Sequence, residues 1–190
     1  ATIIDEVFVA IQEQAKEKGS YVKVCHSSTL KPGDPRKGKT KKNPFTQAWN
    51  AGYGDHSNAS FAVVVMERYH QNHHPKFLEL AKATADLYLK TPALKTFDGQ
   101  VVHPGTFAEV IFLLSDMAMV CQDPRYLEAA QRMMVLSESL FFGNSPLPMA
   151  TNQHAHYETI TGSPSLLLAY LHLEWVSRGH QSRAWKLSRR

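Results

Sequence analysis

Three short stretches of this 190-residue chain gather groups that can exchange protons, each just upstream of an apolar run. The first reads Trp49-Asn50-Ala51-Gly52-Tyr53-Gly54-Asp55-His56, the second Gly99-Gln100-Val101-Val102-His103-Pro104-Gly105. The third is Thr151-Asn152-Gln153-His154-Ala155-His156-Tyr157-Glu158-Thr159-Ile160-Thr161-Gly162. Four of the ten histidines, His56, His103, His154 and His156, lie in these stretches, with Asp55, Glu158, Tyr53, Tyr157 and Trp49 beside them. Histidine titrates near neutrality, a tyrosine hydroxyl can give up or take a proton, and a carboxylate can orient an imidazole or act itself. The sharpest segment is His154 to Gly162. If it is extended, His154 and His156 share a side and can address one substrate, while Tyr157 and Glu158 hold the start of the following helix. The candidate catalytic set is therefore His154, His156, Tyr157, Glu158 and His103. Trp49, Tyr53, Asp55 and His56 are candidate substrate contacts, because flat rings beside hydrogen-bonding groups suit the apolar face and polar rim of a sugar. A plainer reading competes, in which Glu158, Thr159 and Thr161 only tie down a long loop.

Other chemistries fit less well. Imidazoles from three loops with Asp55 or Glu158 could ligate zinc or a harder cation, but no His-x-x-x-His or Cys-x-x-Cys spacing is present. No metal ligand is assigned, and a divalent cation stays open as a cofactor. His70, His73 and His74 fall at a helix end and turn, where polar residues are expected, and His172 is read as a satisfied core histidine. No phosphate-binding glycine pattern occurs, and Gly143-Asn144-Ser145-Pro146 is too weak for a nucleophile elbow.

The elements that must position these loops are helices. Ile3, Ile4, Val7, Phe8 and Ile11 make one apolar stripe in an amphipathic helix over 2–18, with Gly19 as a stop. Ser57 to Leu87 and Thr106 to Leu136 repeat at a shift of 49, His74-Pro75-Lys76-Phe77-Leu78-Glu79-Leu80-Ala81 matching Asp123-Pro124-Arg125-Tyr126-Leu127-Glu128-Ala129-Ala130. Each copy is a helical hairpin: a nearly all-apolar helix, a turn, then a proline-opened amphipathic helix. Asp123 is expected to cap the second copy, Thr106 with Glu109 to form a capping box, and Ser163-Pro164 to start another helix. An apolar helix must be covered on both sides and an amphipathic one lies outside, so the pattern predicts an all-α fold of tandem hairpins, an (α/α) toroid or an arc of one. Inner helices then run the same way, and the three loops converge on one mouth. The register opens on an outer-type helix and closes on an inner-type one, Ser165 to Val176, so residues 1–190 read as one helical domain belonging to a larger toroid, completed by another chain or a missing segment.

Composition narrows the class. With 43% hydrophobic, 10% aromatic and 20% charged residues, and only 2 cysteines, the chain is neither disordered, collagenous nor a disulfide scaffold. Its net charge of +4 is concentrated in Lys31, Arg36, Lys37, Lys39, Lys41 and Lys42, within a basic loop at 27–44 read as mobile. The charge belongs to that loop, so nucleic acid is not expected as a partner. The longest apolar run, Phe61 to Met66, is too short for a membrane span, and the acidic residues of 1–19 exclude a signal peptide there. Cys121 reads as a buried thiol.

The repeated Pro-(Lys/Arg)-(Phe/Tyr)-Leu-Glu-x-Ala, with His156-Tyr157-Glu158-Thr159-Ile160-Thr161-Gly162 leading into an inner helix, resembles bacterial α/α-toroid carbohydrate-active enzymes, and among them uronic-acid polysaccharide lyases of the pectate-lyase kind. The resemblance covers about two thirds of the chain and carries fold more than reaction. It implies β-elimination on an acidic oligo- or polysaccharide, with His156 or His154 as base and Tyr157 as acid, and favours a periplasmic or secreted location. The His/Glu/His cation site and arginine base of metal-dependent lyases have no residue-by-residue match. The alternatives are a glycoside hydrolase, with Asp55 and Glu158 as the carboxylate pair, and a non-catalytic helical-repeat module that binds glycan or protein.

Overall fold

The computed structural model describes residues 2–23, 25, 29–33, 43–49, 56–90, 97 and 99–181. Most of the basic loop falls outside them. The protein is all-α: α1 (Ile3–Gln12), α2 (Asn58–Asn72), α3 (Pro75–Tyr88), α4 (Pro104–Cys121), α5 (Pro124–Phe141) and α6 (Ser163–Ser177), with a 3-10 turn at Lys16–Lys18. Among the described residues only isolated bridges, such as Val22 with Phe45, replace strands. Contacts divide the chain into two compact units, one holding α1, α2 and α3 up to Leu87, the other beginning its long segment at Tyr88 and holding α4, α5 and α6.

The 49-residue repeat is a repeat of local geometry. α2 ends on His73 and α4 on Gln122, both left-handed at φ 53°. Both are followed by a capping residue and then Pro75 or Pro124, whose missing N–H costs nothing at a helix start. In α5 the cap is Asp123, whose Oδ1 accepts from Arg125 N at 3.0 Å. In α3 the Nδ1 of His74 accepts from Lys76 N at 3.2 Å, so this imidazole does the work of the matching carboxylate. The buried stripes also correspond: Phe77, Leu80, Ala81 and Thr84 in α3, Tyr126, Ala129, Ala130 and Met133 in α5. Thr106 does not cap α4. His103 holds that place, and Thr106 sits in the first turn with its N–H on the His103 carbonyl at 3.2 Å, because Pro104 already fixes the start of the helix.

In the first unit α1 departs from expectation. It stops at Gln12 rather than running to 18, and Gln14 turns its Nε2 onto the carbonyls of Ile11 and Leu30 at 3.3 and 3.0 Å. Its buried residues are Asp5 and Gln12, while Ile3 and Ile4 are 80% and 79% exposed. Hydrogen bonds fix that choice of face. Asp5 completes a capping box with Thr2 and takes Arg68 Nε and Nη2 on its two oxygens, each at 2.8 Å. Gln12 exchanges two bonds with the Val22 backbone, at 3.1 and 2.7 Å. Phe8, 6.1 Å from Phe77 between ring centroids, and half-buried Ile11 bring part of the apolar stripe inward. Gly19 does follow the 3-10 turn at φ 56°, where a Cβ would lie 2.6 Å from Leu87 Cδ1 and 2.7 Å from the Ala83 carbonyl oxygen.

In the second unit α4 lies against both α5 and α6, and its residues from Val110 to Met117 are all buried. Phe107 packs between Phe97 and Phe141, at centroid distances of 5.5 and 5.3 Å. α4 and α6 run in the same sense: Gly105 meets Gly162 at their starts, and further along Asp116 meets His172. α5 returns antiparallel and bonds to α6 through the Ser137 and Tyr170 hydroxyls, 2.6 Å apart. By length and composition α4 could cross a membrane, with 18 residues and a mean hydropathy of 1.4, although 61% of it is buried inside the protein. The count of unbroken apolar residues overlooks it because Gly105, Thr106, Glu109, Ser115 and Asp116 interrupt the pattern.

The guanidinium of Arg68, and next the Thr2 N–H, hold the Asp5 carboxyl well below the ordinary carboxylate range. A lowered folded-state pKa stabilises at every pH above the unfolded value of about 4 and fades below it. Asp5→Asn is expected to lower stability by the same amount from neutral pH down to about pH 5, and the deficit to shrink below pH 4. Urea unfolding of both proteins across that range, followed by helical circular dichroism, measures the difference.

Candidate functional site

The second and third loops come together within the second unit. Val102 N donates to Asn152 Oδ1 at 3.0 Å, Asn152 N returns to the Val102 carbonyl at 3.3 Å, and Asn152 Nδ2 reaches the Gln100 carbonyl at 2.9 Å. Farther along, Gly105 N donates to the Thr161 carbonyl at 2.9 Å. His103 lies between these two fastenings. A Cβ on Gly162, whose φ is 87°, would stand 2.4 Å from Gly105 Cα, and one on Gly105 would stand 2.9 Å from the Thr161 carbonyl oxygen. Two backbones can approach this closely only where neither carries a side chain. The pair therefore sets the starts of α4 and α6 side by side.

On this base the third loop arranges its titratable groups. Thr151 Oγ1 accepts from Gln153 N at 3.1 Å and lies 2.8 Å from His154 Nδ1. The His154 and His156 rings meet nearly edge to face, with centroids 6.4 Å apart. The His156 carbonyl accepts from Ala150 N at 2.7 Å, which folds the loop back on itself. Its Nε2 stands 3.7 Å from Glu158 Oε2, close enough for charge pairing and longer than a hydrogen bond. The Glu158 carbonyl takes the Thr161 hydroxyl at 3.0 Å. His154, His156 and Tyr157 are exposed, Tyr157 at 42%.

His103 is half-buried at the α4 start, and its Nδ1 is buried with no hydrogen-bond partner among the described residues. Trp49 is half-buried and His56 exposed in the first unit, where the His56 ring meets Phe61 edge-on at 5.8 Å. Tyr53 and Asp55 lie outside the described residues. Among the described residues no group of three or more His, Cys, Asp or Glu is placed to hold a metal ion. His172 is satisfied in the core, its Nε2 3.1 Å from Asp116 Oδ1 and both side chains almost fully buried.

Sequence reasoning missed the residues that build the site rather than line it: Asn152, Thr151, Gly105 and Gly162. The glycines were visible next to prolines at helix starts, but only the fold shows that they face each other. A cavity of about 230 Å³ lies at the opposite ends of α4 and α6, against Met119, Gln122, Leu127, Val176 and His180, and none of the candidates lines it.

No protein family, curated protein or solved structure matches this chain.

Gly162→Ala is expected to cost about 3 kcal/mol, from the left-handed backbone strain and the forced separation of the two helix starts. Gly179→Ala, at φ 83° with nothing near its Cβ, supplies the strain alone and should cost about 1 kcal/mol. Chemical denaturation of the two variants separates the close approach from the strain.

Proposed function

We propose that this chain is an arc of an (α/α) toroid that cleaves an acidic, uronate-containing polysaccharide by β-elimination. The observation that carries the reading is the open loop on which His154, His156, Tyr157 and Glu158 stand together, fastened to the loop of His103 at the paired starts of α4 and α6. The parallel sense of α4 and α6, joined through antiparallel α5, supports the ring architecture, since inner helices of a toroid run one way and outer helices return. Neither α4 nor α6 has a side-chain cap, and two positive helix ends side by side favour a substrate that carries carboxylates.

In this reading each group has one task. Glu158 faces Nε2 of His156, which leaves Nδ1 as the proton acceptor. His156 takes the proton from the carbon α to the uronate carboxylate, the electron pair of that C–H bond becomes the new C=C bond, and the glycosidic C–O bond breaks. Tyr157 supplies the proton to the leaving oxygen. The Thr151 hydroxyl, already an acceptor for Gln153 N–H, offers its hydrogen to His154 Nδ1, so the neutral His154 presents Nε2–H. That N–H is the donor for the carboxylate as negative charge builds on it. A divalent cation bound with the substrate would add to this stabilisation.

Incubation with a panel of uronic-acid polysaccharides, with and without divalent cations, is expected to give the ultraviolet absorbance of an unsaturated uronate. His156→Ala should lower turnover about a thousandfold and Tyr157→Phe about a hundredfold, with little change in substrate affinity. Reducing ends without that absorbance would replace elimination by hydrolysis. Absence of both, with binding retained, would make the chain a glycan-binding module.

A further inference from the structure

The cavity of about 230 Å³ in the second unit lies where α4 and α6 end, at the far end of both helices from the histidine-bearing loops. A volume of about 150 Å³ is enough to take up a benzene ring inside a protein. One wall is apolar, made of half-buried Ala118, Met119 and Leu127 with buried Val176. The His180 ring closes another side. It stacks on Trp175, with centroids 3.6 Å apart and planes 16° from parallel, so the imidazole stands as a flat surface. Gln122 and Gln181 complete the lining, and their amide oxygens can accept hydrogen bonds.

The backbone sets the charge at this end. α4 and α6 run in the same sense, so both bring the negative, carbonyl end of a helix dipole to the cavity, and neither last turn carries a basic residue. The positive start of α5 is here too, but Asp123 caps it by accepting from Arg125 N at 3.0 Å. The arginines that flank the lining residues in the chain have partners of their own. Arg125 Nη2 lies 2.6 Å from Asp123 Oδ2, and Arg178 Nε and Nη2 each reach Glu174 Oε1 at 2.8 Å. We propose that the cavity binds a small organic cation, a primary amine on an apolar body about the size of a benzene ring. The body lies against Met119, Leu127 and Val176. The ammonium, which only donates, faces the carbonyl ends of α4 and α6 and the Gln122 amide oxygen. An anion of the same shape meets two negative helix ends, and a neutral analogue gains burial alone. The site shares no residue with the loops of His103 and His154, so it does not rest on the elimination chemistry.

Three compounds with one body test this on the full chain at neutral pH: 2-phenylethylamine, 2-phenylethanol and phenylacetate. Carbon-13 labelling of the methionine methyl groups locates each compound, because Met119 lies in the wall and its signal can be assigned with Met119→Leu. The amine is expected to move the Met119 methyl signal saturably, with a dissociation constant about tenfold below that of the alcohol. Phenylacetate should leave the signal in place. Gln122 is exposed, and Gln122→Lys sets an ammonium of the protein's own at the α4 end, with unchanged helical circular dichroism showing that the variant is folded. This substitution should weaken the amine about tenfold and leave the alcohol as it was. Equal affinity for amine and alcohol, a preference for phenylacetate, a Met119 signal that the amine does not move, or amine binding untouched by Gln122→Lys would each overturn the proposal.

Discussion

The second unit depends on one contact between two backbones, Gly105 against Gly162. It brings the starts of α4 and α6 to a separation that any side chain would prevent, and the Gly105 N–H closes it on the Thr161 carbonyl. With the starts fixed, the helices must run together. Eleven residues along α4 and ten along α6, at about 1.5 Å per residue, Asp116 and His172 arrive at the same height and pair. A buried polar pair of this kind disfavours any sliding of one helix on the other, because a shift by one turn would leave both groups buried and unpaired. The glycine contact and the polar pair together set the register.

That register explains the candidate site. The third loop has to travel from the end of α5 to a point against Gly105, and its route is fastened by Asn152 to the backbone of the second loop. Between these fixed points the chain turns at Asn152 and Gln153, His154 N donates to the Thr151 carbonyl at 3.3 Å, and the His154 and His156 rings come to 6.4 Å between centroids. The histidine side chains are exposed, while the loop is fastened by the half-buried Asn152 side chain and by backbone bonds at Ala150 and Gly105.

The first unit solves its packing differently. α1 carries an apolar stripe and turns most of it outward, because Asp5 and Gln12 have better partners inside than water offers. The Asp5 carboxylate accepts the Thr2 N–H at the helix cap and a guanidinium at once, and Gln12 bonds to a chain segment as a strand would. Charge-assisted and buried hydrogen bonds of this quality outweigh exposure of a few aliphatic carbons.

Local signals made much of the architecture legible in the sequence. Helical spacing, the prolines after each turn and the 49-residue repeat depend on neighbours along the chain, and the hairpins, the buried stripes of α3 and α5 and the place of His172 in the core followed from them. The histidine-rich loops could be located for the same reason, since they precede apolar helices. What the tertiary structure decided depends on partners distant in sequence: the face that α1 buries, set by Arg68; the end of that helix; the replacement of Thr106 by His103 at the α4 start; and the meeting of Gly105 with Gly162. Periodicity tells a helix which of its sides is apolar, but a buried carboxylate paired with arginine, or two glycines in contact, can override that preference, and no spacing within one segment reveals a partner dozens of residues away.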